Sequence, residues 1–179
     1  MNTKTLALCL LLGLVASGCA RREADDDAIA EETGIPAAQE QAPAPPKEVA
    51  ALKVEVTLSP AAEQKLKASG ESVRVEVVYG GDPAPEATLT PNELGMIELG
   101  KKVFELDGSG VVEVPESAVD RSRLDQIVGQ PQVMVNTTSG RKSTPENLLA
   151  CAFYWDTLGT AGHDGIAVPC KLLTEAKGG

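Results

Sequence analysis

From Leu52 to Leu58 the chain alternates without a break: Leu52, Val54, Val56 and Leu58 are apolar, and Lys53, Glu55 and Thr57 are polar. Successive side chains of a strand point to opposite faces, so this segment buries one face and wets the other only as a half-buried β-strand. A sheet of that kind needs a second layer over its apolar side. The same period returns at Val73, Val75, Val77 and Tyr79, with Arg74 and Glu76 between them.

Between these two strands, Ser59 and Pro60 offer an N-cap and a first-turn proline, and the Ala-, Lys- and Glu-rich stretch 61–68 favours a helix that Gly70 stops. Residues 80–85, Gly-Gly-Asp-Pro-Ala-Pro, read as a loop. Weaker strands are expected at 96–99, 103–106 and 111–114, with Asp107-Gly108-Ser109-Gly110 joining the last two as a hairpin. Further strands are expected around Val133 and Val135, over 149–155 and over 166–172. About eight short strands with one or two short helices define a mainly β domain over 48–179, an antiparallel β-sandwich. An immunoglobulin-like or a transthyretin-like topology is compatible with it. Trp155 follows Cys151 too closely for the immunoglobulin signature itself.

Two cysteines lie in phase with the apolar faces of the last two strands. Leu149, Cys151, Phe153 and Trp155 fall on one face, and Ile166, Val168, Cys170 and Leu172 on the other. Both thiols are expected to point inward, and in an oxidising compartment such a pair forms a disulfide. The chain has four cysteines, and the other two, Cys9 and Cys19, lie near the start.

That start has the anatomy of a secretory signal: Lys4, a leucine-rich run to Val15, then the small residues Ala16, Ser17 and Gly18. The apolar run is too short to span a bilayer, which takes roughly 20 residues. Val15-Ala16-Ser17-Gly18-Cys19 resembles the lipobox of bacterial lipoproteins, with Ala16 where many members carry Leu. The resemblance covers 1–19 only. It implies cleavage after Gly18 and a diacylglyceryl group on Cys19, which becomes the first residue of a membrane-anchored protein. Two or three acyl chains anchor stably where one does not. Ala20, in place of the Asp that commonly retains lipoproteins at the inner membrane, implies the outer membrane, on its periplasmic face. Ala16 and Gly18 are also small enough for ordinary signal cleavage.

Residues 19–47 carry three basic and seven acidic side chains, only Ile29 and Ile35 as large apolar residues, and a proline-rich end. Such a segment cannot offset the entropy of ordering and is expected to be a disordered tether. Arg21 and Arg22 lie where they can touch anionic headgroups. Asp25, Asp26 and Asp27 form a solvated charge run in preference to a calcium site, which needs a fixed oxygen cage.

The domain has twelve basic and nineteen acidic residues, and an acidic surface repels phosphate backbones, which argues against nucleic acid as a partner. No metal or cofactor site is expected. The chain has one histidine, His163, followed by Asp164 in the Gly-rich stretch 159–165. As a base and its orienter the two would need a nucleophile motif such as G-x-S-x-G, and none occurs. An exposed turn is the simpler expectation. Asn136, Arg141 and Lys142 belong to a basic, hydroxyl-rich island, 136–143, suited to an anionic cell-envelope substituent or simply a solvated loop. A glycan binder would need exposed aromatics. Only Tyr79, Phe104, Phe153, Tyr154 and Trp155 are available, and most of these are expected in the core. The sequence therefore points to a lipid-anchored, non-catalytic binding or structural module, with an envelope enzyme or a carbohydrate or peptidoglycan binder as alternatives.

Overall fold

The computed structural model describes residues 46–176. The signal segment, Cys19 and the tether up to residue 45 lie outside the described residues. The alternating segment forms β1 (Leu52–Leu58), with each apolar residue buried and each polar one exposed. Ser59 caps α1 (Pro60–Ser69), its hydroxyl oxygen accepting from the Ala62 N–H at 3.1 Å, and Gly70 ends it in the left-handed conformation at φ 65°. Ala62 and Leu66 are the helix's buried face. Then come β2 (Val73–Pro83), β3 (Ile97–Leu106), β4 (Gly110–Val114), two 3-10 turns (Glu116–Ala118 and Arg121–Gln126) and β5 (Ile127–Ser139). The chain continues through β6 (Leu149–Cys151), β7 (Tyr154–Thr157), α2 (Leu158–Asp164), β8 (Ile166–Leu172) and α3 (Leu173–Ala176).

The strands make two four-stranded sheets, β4-β1-β8-β6 and β3-β2-β5-β7. Pairing is antiparallel throughout except between β1 and β8, which run parallel. One apolar core joins the inward residues of both sheets, among them Val54, Val56, Val75, Val77, Val133 and Val168. Fully burying each such side chain contributes about 1.5–3 kcal/mol, so the mainly β sandwich follows from the alternation.

Four expectations change. The segment around 107–110 is not a hairpin, because β3 pairs with β2 in one sheet and β4 with β1 in the other. The turn crosses between layers, where Ser109 accepts from the Leu58 N–H and donates to Glu63, tying it to the end of β1 and to α1. The Gly80-Gly81-Asp82-Pro83 stretch is not a loop but a continuation of β2, paired on both sides with register shifts typical of bulges. The two strands expected at 96–99 and 103–106 are the single β3.

The fourth change concerns 149–155. The chain leaves the first sheet after Cys151, where the Ala152 N–H bonds the Pro169 carbonyl, and enters the second at Tyr154. Changing layers changes which side chains face the core. Leu149 is buried and Tyr154 packs against the core, while Phe153 and Trp155 are 59% and 51% exposed.

Residues 46–51 lie as a strap on the domain. The Lys47 ammonium donates to the carbonyls of Leu124 and Ile127, and Gln130 bonds both the Glu48 N–H and the Pro46 carbonyl. The strap also packs on α2. A Cβ on Gly162 would sit 2.4 Å from that of Ala50, so a glycine there lets strap and helix approach.

Candidate functional site

The outer face of the second sheet carries the feature that departs most from an ordinary solvated surface. Register places Lys101 of β3, Val78 of β2, Met134 of β5 and Trp155 of β7 side by side in one row. Neighbouring cross-strand side chains on one face are in contact range. Met134 is only 5% exposed although it faces outward, consistent with its place between Val78 and Trp155. Along β5 the outward residues are Gln130, Gln132, Met134, Asn136 and Thr138, a run of amides and a hydroxyl interrupted by one thioether.

Trp155 has a fixed orientation. Its indole N–H donates to the Gln132 side-chain oxygen at 2.5 Å, and the Phe153 ring meets it edge to face, with centroids 6.4 Å apart and planes at 89°. With the N–H satisfied, what the indole leaves open to solvent is mainly apolar ring.

Charges on this face close on one another. Arg74 and Lys101 both reach Glu76, at 3.4 and 3.0 Å, and Lys142 reaches Glu105 at 2.7 Å. The Lys101 hydrogen bond chiefly holds the Glu76 carboxyl below its ordinary value, against the opposing effect of partial burial. In a domain of net negative charge, each of these three cations has a carboxylate partner, with Glu76 shared by two of them.

The basic island sits at the end of the same sheet. Asn136 is exposed on β5 instead of lying in a loop, and β5 runs on through Thr137, Thr138 and Ser139. Arg141 is exposed at φ 61°, the one non-glycine with positive φ among the described residues. The cause lies in Glu71, which is buried at 4% exposure between α1 and β2. Its carboxylate accepts from the N–H groups of Ser72, Lys142 and Ser143 and from the Ser143 hydroxyl. Burial pushes the Glu71 carboxyl up, and these four hydrogen bonds outweigh that and hold it at about 2. The island is thus a loop shaped around a buried acid, and an anion placed there would face the Glu71 charge.

His163 and Asp164 close α2, which replaces the expected Gly-rich turn; Thr157 caps it and Leu158 and Ala161 bury its inner face. The two side chains do meet, Nδ1 to Oδ1 at 2.6 Å, and that hydrogen bond raises the imidazole's affinity for protons. They are 88% and 64% exposed, and Asp164 is the only hydrogen-bond partner of His163 among the described residues. Asp164 borders a shallow cavity of about 230 Å³ lined with Lys53, Glu55 and Ala167, which offers no hydroxyl or thiol nucleophile. Among the described residues no hydrogen bond or ion pair connects this pair with Asn136, Arg141 or Lys142; Asn136 pairs with Glu76 in the second sheet, and Lys142 bonds Glu105 and Glu71.

Cys151 and Cys170 are direct cross-strand partners of β6 and β8, joined by a disulfide with Cα atoms 4.0 Å apart. Cys170 is buried and Cys151 half-buried, so the inward placement holds more fully for Cys170. The bridge encloses β7 and α2, and with them Phe153, Trp155 and His163.

A cavity of about 910 Å³ is an open groove beside the 3-10 turns. Its arginines are engaged, Arg121 with Glu116 at 2.8 Å and Arg123 with Asp120 at 3.0 Å. Among the described residues no three His, Cys, Asp or Glu side chains converge as metal ligands. Comparison of the chain with protein-family models, with curated proteins and with solved structures finds no match.

Sequence patterning placed Phe153 and Trp155 in the core and overlooked Gln132 and Glu71. One signal was present: three consecutive aromatics, Phe153-Tyr154-Trp155, cannot all face inward from one strand.

Proposed function

We propose that this chain is a lipid-anchored protein of the bacterial envelope, held at the periplasmic face of the outer membrane through Cys19, whose sandwich acts as a non-catalytic binding or structural module. The anchor rests on Val15-Ala16-Ser17-Gly18-Cys19 and the residue after it, Ala20. The module rests on one observation: an oriented, solvent-open aromatic pair, Phe153 and Trp155, on a sheet face whose charges are already paired. Exposed aromatics grouped with other apolar side chains commonly serve contact with something outside the domain.

An envelope enzyme has one observation in its favour, the contact between His163 and Asp164. Both groups project into solvent with no nucleophile beside them, an arrangement in which acid–base work on a sequestered substrate is hard to stage. Binding is therefore the preferred function.

The test is intact mass and detergent partitioning of the full chain from a bacterial host, beside a Cys19→Ala version. A lipid-sized mass increase and a detergent-phase protein, both lost with Cys19, are expected. An unmodified, aqueous wild-type chain would overturn the anchor. For the module, His163→Ala is expected to keep whatever envelope phenotype the wild type supports, and its loss would return the choice to the enzyme.

A further inference from the structure

Resting on the binding-module proposal, we infer that the outer face of the β3-β2-β5-β7 sheet binds a neutral, hydroxyl-rich glycan strand, with Trp155 stacking on a sugar ring and the Gln132 and Asn136 side chains meeting hydroxyls beside it. A pyranose ring presents C–H groups on its faces and hydroxyls around its rim. The negative π-face of an aromatic ring complements the first, and amide side chains complement the second. Trp155 and the β5 amides supply both on adjacent strands of one surface.

Electrostatics bear on the choice of occupant. Arg74 and Lys101 share Glu76, and Lys142 pairs with Glu105, so a phosphate or carboxylate polymer would have to compete with a carboxylate already beside each cation. A neutral ligand meets no opposing charge here and leaves these ion pairs in place. An extended peptide would pair with a free strand edge, but the edge next to Trp155 is β7, only four residues long. The row from Trp155 to Lys101 crosses three strand spacings, roughly 14 Å, a platform for several linked sugars.

Preorganisation supports the same assignment. The indole is held by Gln132 and braced by Phe153, and β7 lies inside the loop closed by Cys151–Cys170. Little side-chain freedom remains for a ligand to remove, which lowers the cost of binding.

The experiment uses the purified full chain in detergent. Trp155 is the only tryptophan, so its fluorescence reports on this site alone. Two probes are titrated, a β-1,4-linked N-acetylglucosamine hexamer and a neutral glucan oligomer. Retention on the immobilised hexamer is compared for the wild type, Trp155→Ala, Phe153→Ala and Gln132→Ala. A saturable fluorescence change with either glycan, persisting at high salt, is expected. Retention should fall at least tenfold in Trp155→Ala and several-fold in Phe153→Ala and Gln132→Ala. No change with either glycan, or a response abolished by salt, would overturn the assignment, as would equal retention of wild type and Trp155→Ala on a hexamer that the wild type binds. A chain that fails with both glycans yet still partitions through Cys19 loses only its ligand, and the anchored module stands.

Discussion

Ser143 bonds Glu71 twice, its backbone N–H at 2.9 Å and its hydroxyl at 2.8 Å converging on the same carboxylate oxygen. Together with the Lys142 N–H this fixes a loop on which Arg141 stands at positive φ. The energetic consequence depends on pH. The folded-state carboxyl sits at about 2, below its ordinary 4.5, so its contribution is fully present above about pH 4.5 and is lost as pH falls toward 2. Glu71→Gln puts an amide N–H₂ where an acceptor is needed and is expected to cost about 1–3 kcal/mol at neutral pH. Urea denaturation at several pH values checks both parts. The wild type should lose stability on acidification through that window, and the variant should lose less.

Removing the Cys151–Cys170 bridge frees a loop spanning 19 positions, which in the chain-entropy model costs about 3 kcal/mol. Cys151→Ser with Cys170→Ser, followed by denaturant unfolding, measures that loss. Because β7 lies inside the loop, the double variant should also show faster hydrogen exchange at Tyr154 and Trp155 than at β1, which lies outside it.

The fold divides into parts legible in the sequence and parts that are not. β1, α1 with its Ser59 and Gly70 caps, and β8 followed from local period and capping chemistry, and the phase of two strands pointed to the disulfide. Alternation reports that a strand has two faces but not which sheet it joins, since partners are set by contacts distant in sequence. For that reason the turn at 107–110 looked like a hairpin although it crosses between layers. The layer change after Cys151 likewise turned Phe153 and Trp155 from expected core residues into surface residues. Glu71 gave no local signal, because three of its four hydrogen bonds come from Lys142 and Ser143, about seventy residues away.

His163 should titrate above its ordinary value, because Asp164 stabilises the imidazolium through their hydrogen bond. Any stabilisation from the pair is present while the imidazole is protonated and is lost as pH rises through the folded-state value. NMR titration of the ring is expected to show the upward shift in the wild type and its disappearance in Asp164→Asn. An unchanged midpoint in Asp164→Asn would show that the contact does not persist in solution.

The strap on α2 predicts a contrast between two glycines. Gly162→Ala would drive a methyl group into Ala50 and should cost about 1–3 kcal/mol, partly offset by alanine's better helix propensity. Gly159→Ala meets only the Glu48 carboxylate, the far end of a flexible side chain, and is expected to be neutral or mildly stabilising. Thermal unfolding of both variants, with limited proteolysis near residues 46–51, separates the two outcomes.

All of the binding account depends on Trp155 facing outward, held by Gln132, instead of pointing into the core as its strand phase implied. The emission maximum of the single tryptophan and its quenching by acrylamide in the native full chain test this directly. The account predicts red-shifted emission and ready quenching, with the maximum moving in Gln132→Ala as the indole loses its partner. Blue-shifted emission protected from acrylamide would place the indole in the core and contradict the account.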